Sequence, residues 1–166
     1  MKKSNTYIED GFFIKVCSTE KHFENELLIY KLNLNMTPVL VSHNFKDTIV
    51  LEIIEGIHPD PSKISDIILA FDSLCDFHLA LRNLDLDYAM NDVNPKNFLI
   101  DNDKRCYLFD FSEILEFGQD NDIIAFLLFF ADMSSTELFV ELLNHFLKEY
   151  KNRYNINLDL INQQIL

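Results

Sequence analysis

Met90-Asn91-Asp92-Val93-Asn94-Pro95-Lys96-Asn97-Phe98-Leu99-Ile100 runs through Asp101-Asn102-Asp103-Lys104 into Cys106-Tyr107-Leu108-Phe109-Asp110-Phe111-Ser112. Phe98 to Ile100 and Cys106 to Phe109 are short apolar runs, and the Asp/Asn-rich segment between them favours a turn. Together they predict a β-hairpin preceded by a loop over Asn91 to Asn97. Asp92 and Asn97 lie five residues apart on that loop, and Asp110 ends the returning strand 18 residues after Asp92. A rigid loop and a hairpin thus carry two carboxylates and a carboxamide. Such a set can gather oxygen ligands for Mg²⁺ beside a carboxylate base, because Mg²⁺ favours one or two protein carboxylates, phosphate oxygens and water. Phosphoryl transfer asks little more of a protein than in-line positioning and neutralisation of charge.

Asp92-Val93-Asn94-Pro95-Lys96-Asn97 resembles the Asp-x-x-x-x-Asn catalytic loop of the protein kinase-like superfamily, and Asp110-Phe111-Ser112 resembles its Asp-Phe-Gly motif. The resemblance implies that Asp92 is the catalytic base and that Asn97 and Asp110 are metal ligands, with ATP and Mg²⁺ as cofactors. Phe13-Ile14-Lys15-Val16 resembles the strand bearing the phosphate-binding lysine, Lys15. Glu26 on the next helix would be its ion-pair partner, with Glu24 as the competing choice. Ile49-Val50-Leu51-Glu52-Ile53-Ile54-Glu55-Gly56 is similar to the strand and hinge whose backbone, at Glu52 and Ile54, would bind the adenine edge, with Leu51 at the gatekeeper position. Gly118-Gln119-Asp120-Asn121-Asp122 is similar to a segment of aminoglycoside-phosphotransferase-like kinases, in which an aspartate, here Asp122, braces the catalytic loop.

The resemblance spans about Phe12 to Ala131 and has clear departures. The chain holds three glycines, Gly11, Gly56 and Gly118, so no Gly-rich loop precedes Lys15. Only 14 residues come before that lysine, fewer than the usual first two strands and loop require. Met90 stands where the family usually has histidine, and Ser112 replaces the glycine after Asp-Phe. The 54 residues after Ser112 leave room for a shortened helical lobe. In these respects the chain resembles short bacterial effector kinases as well as the aminoglycoside-phosphotransferase branch. That resemblance implies either a protein partner or substrate or a small-molecule acceptor. The missing Gly-rich loop and Met90 keep a second reading open: a pseudokinase that works as a protein-binding module.

The periodicity elsewhere agrees with an α+β, two-lobed kinase-like fold, with a reduced N-terminal lobe over residues 1–57 and a helical C-terminal lobe over 58–166. Glu24 to Leu32 reads as a helix. Pro38 to Val41 and Thr48 to Ile54 read as a hairpin across the polar Ser42 to Asp47. His58-Pro59-Asp60-Pro61 is a linker, because two prolines in four residues exclude regular structure. From Ile64 to Leu81, apolar residues recur at steps of three and four, predicting a long helix with Ser62 or Ser65 as its cap. Ser134 and Glu137 read as a capping box opening a last helix to about Tyr150.

The composition narrows the classes. Apolar residues make up 48% of the chain, 15 of them Phe, which is ample for a core. The net charge of −13 argues against nucleic-acid binding, where phosphate contact demands the opposite sign. Cys17, Cys75 and Cys106 are too scattered for a metal site and read as buried free thiols of a reducing compartment. The longest apolar run, Ile123 to Ala131, has nine residues, against the ~20 needed to span a bilayer. Together with a polar N-terminus, this predicts a protein soluble in the cytoplasm, its own or that of a host into which it is delivered.

Overall fold

The computed structural model describes residues 4–133 and 135–153. β1 (Asn5–Glu9) and β2 (Phe12–Val16) form a tight antiparallel hairpin. Asp10 and Gly11 close it, both with positive φ (50° and 80°), the twist that matches two-residue hairpins and the reason Asp-Gly suits the turn. Among the described residues one strand therefore precedes the strand that bears Lys15, joined to it by a two-residue turn. α1 (Glu20–Tyr30) follows. It starts four residues before the expected Glu24, because Thr19 caps it by accepting a hydrogen bond from the His22 N–H at 3.1 Å.

β3 (Leu40–His43) and β4 (Thr48–Glu52) form the expected hairpin, and the first sheet has the order β1-β2-β4-β3. The alternation places Ile49 and Leu51 of β4 into the interior, on the face they share with their register partners Lys15 and Phe13 of β2. β5 (Gly56–Ile57) pairs with β7 (Phe98–Asp101), which pairs with β8 (Cys106–Leu108). β6 (Tyr88–Ala89) pairs with β9 (Leu115–Glu116). These two-residue strands are too short for sequence periodicity to reveal.

α2 (Ile64–Arg82) is the long helix foreseen, and it buries Ile67, Phe71, Leu74, Cys75, His78 and Leu81. Neither Ser62 nor Ser65 caps it. Lys63 holds the cap position, and the Ser62 hydroxyl turns back to donate to Asp60 Oδ1 at 2.7 Å. α3 (Gln119–Met133) and α4 (Thr136–Arg153) complete the helical part. Ser134 of the expected capping box lies outside the described residues, while Ser135 Oγ accepts from the Leu138 N–H at 3.3 Å. Phe126 of α3 packs its ring on Phe71 of α2 (5.1 Å), Phe98 of β7 (5.7 Å) and Phe130 (4.6 Å). Each such ring stabilises the lobe by roughly 1.5–3 kcal/mol through burial. The three cysteines are buried; burial pushes the thiol of Cys17 up to about 11 and that of Cys106 to about 12. No helix among the described residues is long and apolar enough to cross a membrane.

Candidate active site

Lys15 sits mid-strand on β2, and the strand's alternation turns it inward, where it is 5% exposed. A lone buried ammonium would be costly, and two carboxylates receive it. Its Nζ donates to Glu26 Oε1 on α1 and, at 2.6 Å, to Asp110 Oδ1. Glu26, not Glu24, is therefore the partner: Glu26 is wholly buried, and Glu24 lies on the exposed side of α1. Burial opposes the charge on Lys15, but the Glu26 and Asp110 carboxylates outweigh it and hold the ammonium above the ordinary lysine value. Burial pushes Glu26 up to about 7 against the pull of Lys15, and Glu26 Oε2 has no hydrogen-bond partner. Burial also opposes the charge on Asp110. The Lys15 charge and the hydrogen bonds from Lys15 and Ser112 overcome it and hold Asp110 at about 2.

Asp110 follows β8 with φ +61°, a conformation uncommon outside glycine. Its neighbour Phe111 holds it there. The Phe111 ring is fully buried, stacked on Phe77 of α2 (5.3 Å, 23°) and edge-on to Tyr30 of α1 (5.3 Å, 74°). Ser112 Oγ donates to Asp110 Oδ1 at 2.7 Å, and the Ser112 carbonyl accepts from Asn25 Nδ2 of α1 at 2.7 Å. Ser112 thus tethers Asp110 directly. The Phe109 N–H donates to the Asn97 carbonyl at 2.8 Å, fastening the loop to the hairpin.

Pro95–Asn97 forms a single 3-10 turn, capped by Asn94 Oδ1, which accepts from the Lys96 N–H at 3.0 Å. Asn97 Nδ2 donates to the Asp92 carbonyl at 2.9 Å, which fixes the carboxamide and orients its oxygen away from that contact. Behind the loop, Asp122 of α3 is buried and receives three donors. The Met90 N–H reaches it at 2.5 Å, the Asn91 N–H at 2.8 Å and His78 Nε2 of α2 at 2.9 Å. The pairing of His78 with Asp122 has no local sequence signal, because the two are 44 residues apart.

A cavity of about 390 Å³ joins these parts, a volume ordinary for a small-molecule site. Thr6 and Ile8 of β1, with Phe13 and Lys15 of β2, line it. Glu52 at the end of β4 and Ile53 and Ile54 after it do so too, with Lys96, Asn97, Leu99, Phe109 and Asp110. His58, read from sequence only as part of a linker, also lines it, with Nδ1 donating to the Phe98 carbonyl at 2.8 Å. The Glu52 N–H donates to the Val39 carbonyl at 3.0 Å, and its carboxylate accepts from the Val39 N–H at 2.9 Å. Leu51 is fully buried and is not part of the wall. Asp92 is exposed and is not among the residues that line the cavity; it is joined to the wall through its carbonyl, which accepts from Asn97, and Glu26 and Asp122 also lie outside the lining.

Comparison with known proteins bears on this geometry. No family model matches the chain, and no curated protein matches it in sequence. Solved structures do. An aminoglycoside phosphotransferase from Alicyclobacillus acidocaldarius superposes with a TM-score of 0.61 at 12% identity, over 86% of this chain and 72% of that one. The chain has the protein kinase-like fold. A crystal structure of WbdD matches with a TM-score of 0.59 at 16% identity over 79% of this chain, and another, described as a bifunctional kinase-methyltransferase, with 0.59 at 14% over 99%. The chain spans 35% and 48% of those two WbdD chains. At such identities the likeness is one of fold, and the chemistry rests on the cavity itself.

Proposed function

We propose that this chain is an ATP- and Mg²⁺-dependent phosphotransferase of minimal size, with residues 1–57 as its reduced N-terminal lobe and the lobe junction at Ile57/His58. One observation carries the reading: Lys15, Asn97 and Asp110, 82 to 95 residues apart in sequence for the pairs that include Lys15, line a single cavity, with Glu26 behind the lysine.

The donor set fits the cofactor. Among the described residues no cluster of three or more His, Cys, Asp or Glu side chains forms a metal cage. A metal here would be held by the Asp110 carboxylate, the Asn97 carboxamide oxygen and the phosphates of the nucleotide, the sparse set Mg²⁺ accepts. When bound, the metal supplies the positive charge that phosphoryl transfer requires. The residues do the rest. Lys15 exchanges its bond to Asp110 for nucleotide phosphate while Glu26 keeps it in place. The backbone of Glu52 and Ile54 meets the base, with the Glu52 carbonyl as its candidate contact because its N–H is engaged with Val39. Asp92, exposed next to Asn97, is open to an incoming hydroxyl and takes its proton.

The pseudokinase reading has its own observation: a two-residue turn, Asp10-Gly11, replaces the phosphate-covering loop, and Lys15 is paired with Asp110. Transfer of labelled γ-phosphate, to the protein itself or to water, separates the two when it is followed together with the melting temperature in Mg-ATP. A kinase shows both transfer and a raised melting temperature. Asp110→Ala and Asp92→Asn then each lower transfer about 10²–10³-fold, the usual scale for losing a group that meets developing charge. Asp110→Ala stays folded, because its side chain is 44% exposed. Transfer undiminished in both variants would remove the catalytic assignment, and a thermal shift without transfer in the wild type would select the pseudokinase.

A further inference from the structure

The charge balance of the cavity does not close on Lys15 alone. That ammonium is shared by Glu26 and Asp110, so it is already engaged by two carboxyl groups before any ligand arrives. Glu52 adds a further carboxylate to the wall. The backbone N–H loop that would otherwise cover phosphates is here a turn containing an acid, Asp10. Lys96 is the other Lys or Arg among the lining residues. It is exposed, and no carboxylate among the described residues pairs with it. Its backbone is held: the Lys96 N–H is bound by Asn94 Oδ1, and the next residue, Asn97, is tied to the Asp92 carbonyl. A long cationic side chain on this anchored segment, between Asp92 and Asn97, therefore lines the same cavity as Lys15.

Resting on the nucleotide reading above, we infer that Lys96 forms a second phosphate-binding site, which receives the terminal phosphate of the nucleotide and replaces the charge that the missing loop would supply. The terminal phosphate is the group that must lie beside Asp92, where the acceptor enters, and Lys96 is the cation on that loop. Lysine suits the task because its compact ammonium binds phosphate as a point charge and can follow the group as it moves.

The test measures the affinity of the full chain for Mg-ATP, Mg-ADP and adenosine in wild type, Lys96→Ala and Lys96→Arg. Lys96→Ala weakens Mg-ATP about tenfold, the scale of one charged hydrogen bond. Mg-ADP and adenosine change less than about twofold on the same scale, and Lys96→Arg restores the preference for Mg-ATP. An ATP-to-ADP affinity ratio that Lys96→Ala leaves unchanged overturns the site. Tripolyphosphate without nucleoside serves as a second probe and separates this inference from the kinase reading. A wild type that ignores nucleotides yet binds tripolyphosphate in a Lys96-dependent way keeps the phosphate site and discards the kinase. Binding of both probes that is indifferent to Lys96 discards the phosphate site.

Discussion

Glu26 shows how one residue can serve a site at a cost to the fold. It is wholly buried, Oε2 lacks a partner, and its folded-state value of about 7 stands above the 4.5 of an unburied glutamate. Between those values the folded chain binds a proton that the unfolded chain releases. Glu26 therefore favours folding most below about pH 4.5, and that contribution is lost as pH rises through about 7. Asp110 has the opposite sign: depressed to about 2, its contribution is complete above the ordinary 3.8 and is lost only as pH falls towards 2, so it is flat over the Glu26 window. Glu26→Gln should accordingly flatten the fall in melting temperature between pH 5 and pH 8. Parallel wild-type and mutant slopes across that range would show that Glu26 stays ionised throughout. That Lys15 would meet an acid on the following helix was legible from sequence. The choice of Glu26 over Glu24 was not, because it depends on which side of α1 faces β2.

At the scale of elements, the loop that carries Asp92 and Asn97 is held by a helix that follows it in the chain. Asp122, in the first turn of α3, accepts the Met90 and Asn91 N–H groups, and His78 reaches the same carboxylate from α2. Two helices and one loop thus converge on a buried anion. Asp122→Ala strips three donors of their acceptor and should destabilise the chain by roughly 3–5 kcal/mol, as breaking a buried charged pair does. His78→Ala leaves the two backbone bonds in place and should cost less. Chemical denaturation of both variants orders them, and a milder loss for Asp122→Ala than for His78→Ala would contradict the brace. The helices themselves were readable from apolar periodicity, whereas the start of α1 was misplaced because Thr19, an inconspicuous residue, supplies its cap.

Across the whole molecule, the chain passes from the four-stranded sheet to the β5-β7-β8 sheet where it leaves β4. Gly56 of β5 lies against β7 so closely that a Cβ there would stand 2.1 Å from Leu99 Cδ2 and 2.4 Å from the Ile100 carbonyl oxygen. Backbone cannot yield as a side-chain tip can, so Gly56→Ala should cost roughly 1–3 kcal/mol by overpacking. Leu99 also lines the cavity, so the same variant should weaken nucleotide affinity. Thermal melts with and without Mg-ATP read both effects, and an unchanged melting temperature would mean that β5 and β7 separate without penalty.

By itself the sequence determined the class of the fold and the order of its working parts. Asp92, Asn97 and Asp110 are held at fixed spacing by one loop and one hairpin, a constraint of short chain length that survives any arrangement of the rest. Apolar periodicity likewise determined α2, because a helix buries one face whatever it packs on. Only the tertiary structure decided what depends on contacts between distant segments. Among these are the meeting of Lys15 with Asp110 across 95 residues, the joining of His78 to Asp122, and the close approach of Gly56 to Ile100. The same holds for Lys96 and Lys15 in the lining of one cavity. No local pattern encodes such pairings, since they arise when burial brings separate elements together and the buried charges must then find partners.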